Sequence, residues 1–355
     1  MTPSDAAAKH ATAETMRAWT LHAFGRSNLQ LSEIDKPRPQ ADEALIRIRA
    51  FSLNYRDKLV IEGGLLPQLP TMPFTPISDM AGEVVAVGEN VSRIRPGARV
   101  AGHFRTTWIE GKPTRDTSNP DTTLGGPLPG VASEYMVLPE HALVELPDAL
   151  SFADGATLPI AALTAWMALD AQPGPRRHET VLVQGTGGVS LFALQFAQAM
   201  GHRVILTSRS DEKLARAKTL GSFDGVNTQS HPNWAEEVLS LTDRAGVDRI
   251  VEVVGGANLG QSLDALAIGG TVSQVGFLDG IDLSFAAVPL MLKHATIKGI
   301  SVGDRKSFES MLAFMARHKI KPVIEETYSF ESLASALDHL DRGAFGKIVV
   351  AGWEG

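Results

Sequence analysis

The sequence predicts an α/β protein, a doubly wound parallel sheet inserted in a β-rich, partly barrel-like domain. Three observations lead to that class. Residues 181–201 run from an apolar strand through a glycine turn into an apolar-faced helix that Gly201 stops. Strands and helical patterns then alternate as far as about residue 303, which is how a parallel sheet with crossover helices reads. Before residue 145 the pattern is different, with short alternating strands and frequent turns.

The glycine turn carries the first functional signal. Gly185 lets the chain reverse without a Cβ clash, and Gly187 and Gly188 leave room for a pyrophosphate against the free N–H groups of a helix N-terminus. Thr186 and Val189 complete that candidate dinucleotide turn, in which Ser190 stands where a third glycine would be. A plain αβ turn rich in glycine is the alternative. The next strand, 202–210, ends in Thr207-Ser208-Arg209, and Ser210 with Asp211 and Glu212 opens the following helix. An acidic residue at that tip would accept a ribose 2′-hydroxyl, whereas Ser208, Arg209 and Lys213 offer donors and positive charge to a 2′-phosphate. NADP(H) is therefore the expected cofactor, against a reading of Arg209 and Lys213 as two solvated cations.

Taken in order, residues 1–15 read as a disordered leader, and 16–145 as the β-rich domain, with strand candidates in MRAWTLHAF, ALIRIRAFSLN, AGEVVAVGENV, GARVAGHF and SEYMVLPEHALVELP. Residues 105–130 are rich in Pro, Gly, Thr and Asp and long for a connection, a lid or a mobile loop. Residues 146–303 hold the parallel-sheet candidates TVLVQG, RVILTS, RIVEVVG, GTVSQVGF and TIKGISVG. The tail, 304–355, has helical patterns at 308–318 and 333–340 and a last strand in GKIVVAG, and is expected to complete the first domain.

Composition narrows the partners. A chain of 355 residues, 44% hydrophobic and 21% charged, exceeds one typical domain and can bury large cores. A net charge of −7 without a Lys/Arg block argues against nucleic acid or an anionic membrane. No apolar run is long enough to span a bilayer and no signal-peptide layout is visible, so a cytoplasmic location is expected. With no cysteine, thiolate chemistry and thiolate-bound zinc are excluded, and the ten histidines lack metal-ligand spacing.

Seven motifs bring a family into view: SLNYRD at 52–57, PISDMAGEVVAVGENV at 76–91, LPIAALTAW at 158–166, QGTGGVSLFALQFA at 184–197, VEVVGG at 251–256, VGF at 275–277 and GKIVV at 346–350. Over residues 16–355 the chain resembles the medium-chain dehydrogenase/reductase superfamily, whose β-rich domain is GroES-like and whose inserted domain has the Rossmann fold. It is most similar to the zinc-independent, quinone-oxidoreductase-like and alcohol-dehydrogenase-like members. Where zinc relatives place ligands, this chain has Asn54, Ser78 and Ile160, which cannot make a catalytic zinc site. No zinc is expected.

The resemblance implies a cleft floor at Asn54, Tyr55, Arg56 and Asp57, with Tyr55 the first candidate to donate to a substrate oxygen and Asn54 and Asp57 beside it. The alternative is that Tyr55 only packs and that Asp57 only pairs with Arg56. Asp79 is expected to support the cleft. Thr164, Val254, Gly255, Gly276, Phe277, Val302 and Gly303 are implied as cofactor neighbours, and Lys347 as a residue reaching the cofactor phosphates or a surface lysine. The implied reaction is hydride transfer from NADPH to a quinone, enone or carbonyl. A metal-free NAD(P)-dependent alcohol dehydrogenase and a nucleotide-binding protein without turnover are the alternatives. Leu65, Leu66, Leu69, Met72, Phe74 and Trp108 make either an apolar substrate pocket or core. A homodimer is implied through the edge strand of VPLMLKHATIKGISVG.

Overall fold

A computed structural model describes residues 14–64, 70–170, 178–221 and 223–353. Most of the expected leader, and Leu65, Leu66 and Leu69 of the expected pocket, lie outside the described residues. Thr15, the last leader residue, already belongs to a strand, Thr15–Leu21, paired antiparallel with Leu29–Asp35.

Six strands form a parallel sheet in the order Asp224–Asn227, Arg203–Ser208, Thr180–Gln184, Val247–Glu252, Leu266–Gln274 and Thr296–Gly299. The order reverses between Thr180–Gln184 and Val247–Glu252, and ligands of such sheets bind in the crevice at that switch, outside the carboxyl ends of the strands. The five strands expected from sequence are present. Asp224–Asn227 was missed, because its four residues, Asp-Gly-Val-Asn, include three that strands disfavour. It forms nonetheless because Val226 is buried against the second apolar core, with Trp234, Val238 and Leu259.

The β-rich part centres on Glu43–Ser52, which pairs antiparallel with Asp79–Val87, Tyr135–Pro139 and Lys347–Ala351. Ile324–Tyr328 lies parallel to Lys347–Ala351, and the helix Leu333–Arg342 makes the crossover that a parallel pair needs. The tail therefore returns to the first sheet, and the return puts Lys347 beside residue 53: Leu53 N–H donates to Ile348 O over 3.0 Å.

The segment 105–130 is anchored along its length. Arg56 donates to the carbonyls of Leu124, Gly125 and Gly126; Arg305 and Lys306 N–H groups donate to Trp108 and Ile109; Pro120–Thr122 forms a short 3₁₀ turn capped by Asn119. Trp108 and Phe74 are buried and Met72 packs on the core, so these three fill the core. Among the described residues no helix is long and apolar enough to cross a membrane.

Candidate active site

The floor of the cleft is a knot of buried polar groups. Asn54 caps the helix Tyr55–Glu62, and Asp57, three residues on, reaches back to accept the Asn54 N–H at 2.8 Å, half of a capping box. Asp57 is fully buried and its other oxygen accepts from Ser78 Oγ at 2.5 Å. Arg56 stands 3.6 Å from that oxygen, also donates to Ser78 Oγ, and lies over the Phe104 ring. Burial pushes the Asp57 carboxyl up and the Arg56 guanidinium down, and each opposes the other's shift. The Arg56–Asp57 pair of the more conservative sequence reading is thus present, embedded in a wider network.

Asp79 is the second buried carboxylate. Its Oδ2 accepts from Asn54 Nδ2 at 2.8 Å and from Ile160 N–H at 3.2 Å. Its Oδ1 is buried without a partner among the described residues. Burial raises its pKa to about 7, against the pull of Lys347. Two backbone features present it. Ile77, fully buried, has φ 73°, a left-handed conformation costly for a β-branched residue and therefore held by its surroundings; its carbonyl accepts from Val131 N–H. Leu158–Ala162 is a π-helical turn, which leaves the Ile160 N–H for Asp79.

Asn54, Ser78 and Ile160, the positions compared with zinc ligands, do converge here, but on Asp57, Asp79, Arg56 and Lys347. Among the described residues no group of three or more His, Cys, Asp or Glu side chains could hold a metal ion. Lys347 is buried, and its ammonium donates to Leu53 O at 2.6 Å and Asn54 Oδ1 at 2.7 Å. The surface-lysine alternative is thereby corrected: the return of the tail carries this side chain inside. Its expected reach to cofactor phosphates is also not what the geometry displays, since its stem crosses the helix start but its ammonium faces the floor.

Tyr55, the first residue of its helix, is 40% exposed, and no described residue bonds its hydroxyl. Its ring meets Phe277 edge-on, centroids 6.3 Å apart. A side chain of the β-rich part thus touches the carboxyl edge of the parallel sheet.

On the sheet side, Gly185 has φ 74° and the helix Gly188–Ala199 begins directly after it. A Cβ on Gly187 would meet nothing within 4 Å. The first N–H groups of a helix have no intrahelical acceptors, and a parallel bridge ties Gly187 to Gly346 at this helix start, leaving the remaining helix-start N–H groups as candidate donors to an anion. Ser190 donates to Gln184 O at 2.6 Å, tying the turn where a third glycine is missing. Thr186 O accepts from Gly346 N–H at 2.9 Å.

At the neighbouring tip, Ser208 is buried and accepts from Ser210 N–H at 3.2 Å, Arg209 is exposed with no described partner, and Lys213 donates to Gly343 O at 2.7 Å. Thr164 is buried in the helix Leu163–Ala168. Val302 is buried at φ 61°, another strained β-branched residue, and a Cβ on Gly303 would strike Met167. Gly276 approaches Val253 O so closely that a Cβ would stand 2.3 Å from it.

One feature escaped sequence reading. Glu252 is fully buried at the end of its strand, accepting from the N–H groups of Val254 and Gly255 and from Gln184, Asn258 and Ser262 side chains. It fixes the loop that carries Val254 and Gly255. An acidic residue inside the apolar run 250–254 was the available signal.

Comparison with known proteins agrees with this architecture. A model of the alcohol dehydrogenase GroES-like domain matches residues 40–148, and one of zinc-binding dehydrogenases matches 188–317. A zinc-type alcohol dehydrogenase-like protein of Schizosaccharomyces pombe is 39% identical over 337 residues, 92% of this chain and 96% of that protein. Human quinone oxidoreductase is 30% identical over 346 residues, 94% of this chain and 97% of its own. A solved structure from Sinorhizobium meliloti, provisionally described as an alcohol dehydrogenase, superposes with a TM-score of 0.90 at 45% identity, covering 96% of this chain and 99% of that one. Fold, motifs and relatives concur: the chain is an oxidoreductase belonging to the medium-chain dehydrogenase/reductase superfamily.

Proposed function

We propose that this protein is a zinc-independent, NADPH-dependent reductase acting on a small apolar quinone, enone or carbonyl. The observation that carries the reading is the Tyr55–Phe277 contact. It supports a free phenol at the carboxyl edge of the parallel sheet, one strand from its switch point, where a donor to a substrate oxygen is needed.

In this reading the remaining helix-start N–H groups, that of Val189 among them, hold the pyrophosphate, with Gly185, Thr186, Gly187 and Gly188 shaping the turn. Ser208, Arg209 and Lys213 receive the 2′-phosphate, Lys213 exchanging its bond to Gly343 O for it. Thr164, Val254, Gly276, Phe277 and Val302 border the nicotinamide. When bound, NADPH supplies the hydride. Tyr55 donates to the substrate oxygen as negative charge builds there. Asn54 and Asp57 fix the start of the helix that presents Tyr55. At the first of the compared ligand positions, Asn54, the floor presents an amide held by the Lys347 ammonium, which supports zinc independence.

The same reading takes 16–145 with 304–355 as the catalytic domain and 146–303 as the cofactor domain. It also includes a homodimer: Ile268, Leu278, Ile281, Val288, Met291 and Leu292 are exposed near the sheet's edge strand Thr296–Gly299. A monomeric mass by light scattering would remove that part. The main test is a titration of NADPH and NADH into metal-free protein, followed by turnover on a panel of quinones, enones, ketones and alcohols with and without chelator. Tighter NADPH binding with chelator-insensitive reduction is expected; NADH preference or activity lost to chelator would overturn the cofactor or metal assignment. Binding without turnover would favour a nucleotide-binding role.

A further inference from the structure

Lys347 touches both the dinucleotide turn and the polar floor. Its stem lies on the dinucleotide turn, for a Cβ on Gly188 would stand 2.6 Å from Lys347 Cδ and 3.2 Å from Cγ. The residue before it, Gly346, is bridged to Gly187 and donates to Thr186 O. Its ammonium crosses to the floor, on Leu53 O and Asn54 Oδ1. Asn54 in turn holds Asp79 and immediately precedes Tyr55. A continuous path therefore runs Thr186, Gly346, Lys347, Asn54, Tyr55.

The chemistry of the pair is directional. An ammonium only donates, so the amide atom facing Lys347 must be the oxygen, and the amide nitrogen must face Asp79. Lys347 imposes this orientation whichever protonation state Asp79 adopts. A protonated Asp79 alone could hold the amide either way round. Burying an ammonium is costly unless its partners are in place; burial pulls the Lys347 pKa down, the nearby Asp79 and Asp57 carboxylates oppose that pull, and Leu53 O and Asn54 Oδ1 accept from the ammonium.

We propose that Lys347 is a positioning residue for the reaction, its buried ammonium locking the Asn54 amide and so coupling the dinucleotide turn to the Tyr55 end of the floor. The inference rests on the reductase reading but is separable from it. It assigns to Lys347 a task at the reacting end in place of a grip on phosphate.

The test compares Lys347→Met, Lys347→Arg, Asn54→Ser and the Asn54→Ser/Lys347→Met double variant in the full chain. The first readout is NADPH affinity at equilibrium, and the second is kcat at saturating NADPH. The third is the Asn54 side-chain amide resonance of cofactor-free protein, assigned by its loss in Asn54→Ser. Expected for Lys347→Met are NADPH affinity within about threefold of the parent and kcat lower by roughly 30- to 100-fold, the scale of a misplaced catalytic group. The amide resonance should shift, Lys347→Arg should recover part of kcat, and the double variant should be no slower than the worse single one. A loss of NADPH affinity of about 30-fold or more with kcat within threefold would make Lys347 a phosphate ligand and overturn the proposal. If Lys347→Met does not fold, Lys347→Gln takes its place. If the parent reduces nothing, the reductase reading fails, and the amide resonance with NADPH affinity decides Lys347 alone: a shifted amide with unchanged affinity upholds the coupling, an unmoved amide overturns it.

Discussion

The glycine turn at 185–188 and the floor at 54–57 face one cleft, yet the first is backbone around open space and the second is buried charge. At the turn a Cβ on Gly187 would meet nothing, and the ligand-facing groups are amide N–H. At the floor Asp57, Asp79 and Lys347 are almost wholly buried and held by one another, by Asn54 and by Ser78. The difference implies that Gly187 tolerates a substitution structurally while losing function, whereas the floor's stability and function are bound together.

The largest effect should come where the floor meets the substrate. Tyr55→Phe, which leaves the ring on Phe277, is expected to lower kcat by about 10²- to 10³-fold with little change in NADPH affinity, the loss seen when one preorganised oxyanion donor is removed. Unchanged kcat would reduce Tyr55 to a packing residue.

Next is a contrast between two glycines. Gly187→Ala should leave the melting temperature unchanged while weakening NADPH binding by roughly tenfold or more, a methyl standing where the pyrophosphate approaches. Gly276→Ala should instead destabilise the fold by about 1–3 kcal/mol, because its Cβ would meet the Val253 carbonyl. Thermal unfolding and fluorescence titration of both variants would break the comparison if the two losses came out alike.

Arg209→Ala should cost about tenfold in NADPH affinity and almost nothing in NADH affinity, one charge-assisted contact with the 2′-phosphate being removed. Lys213→Ala should cost less, since that ammonium must first leave Gly343 O. Equal losses for both cofactors would place the two cations outside the phosphate site.

A separate effect is one of pH. The folded-state pKa of Asp79, about 7, lies above the ordinary 3.8, so between these values the folded protein holds a proton that the unfolded chain has released. The stability contributed is fully present below about pH 4 and is lost as pH rises through about 7. Asp79→Asn should flatten this decline by on the order of a few kcal/mol, the scale of a pKa raised from 3.8 to about 7 with the pull of Lys347 already included. Urea unfolding from pH 4 to 8 measures it; a parent and variant with parallel pH profiles would show that Asp79 is ionised throughout.

Much of the cofactor side was legible because its information is local. Gly185, Gly187 and Gly188 stand within four residues, and the Ser210 cap is visible three positions before Lys213. The short strand Asp224–Asn227 was not legible, since its own residues oppose it and neighbouring strands and buried helices impose it. Nor was the burial of Trp108 and Phe74 in place of a pocket, because an apolar side chain carries no mark of what it will face. The motif SLNYRD pointed to the floor, and the family resemblance to Asp79 and Ile160 beside it, but neither pointed to the ammonium of Lys347, 293 positions from Asn54, as its partner.

By itself, then, the sequence determined the parallel-sheet class, the glycine turn and the candidate phosphate-facing tip, because strand periodicity, positive-φ glycine and helix capping are settled by residues a few positions apart. Only the tertiary structure decided that the tail brings Lys347 onto Asn54, that Asp79 is left with one oxygen unpartnered among the described residues and that Tyr55 meets Phe277. Those facts depend on the return strand pairing with Glu43–Ser52 and on the β-rich part packing against the parallel sheet, and no local rule encodes contacts made across hundreds of residues.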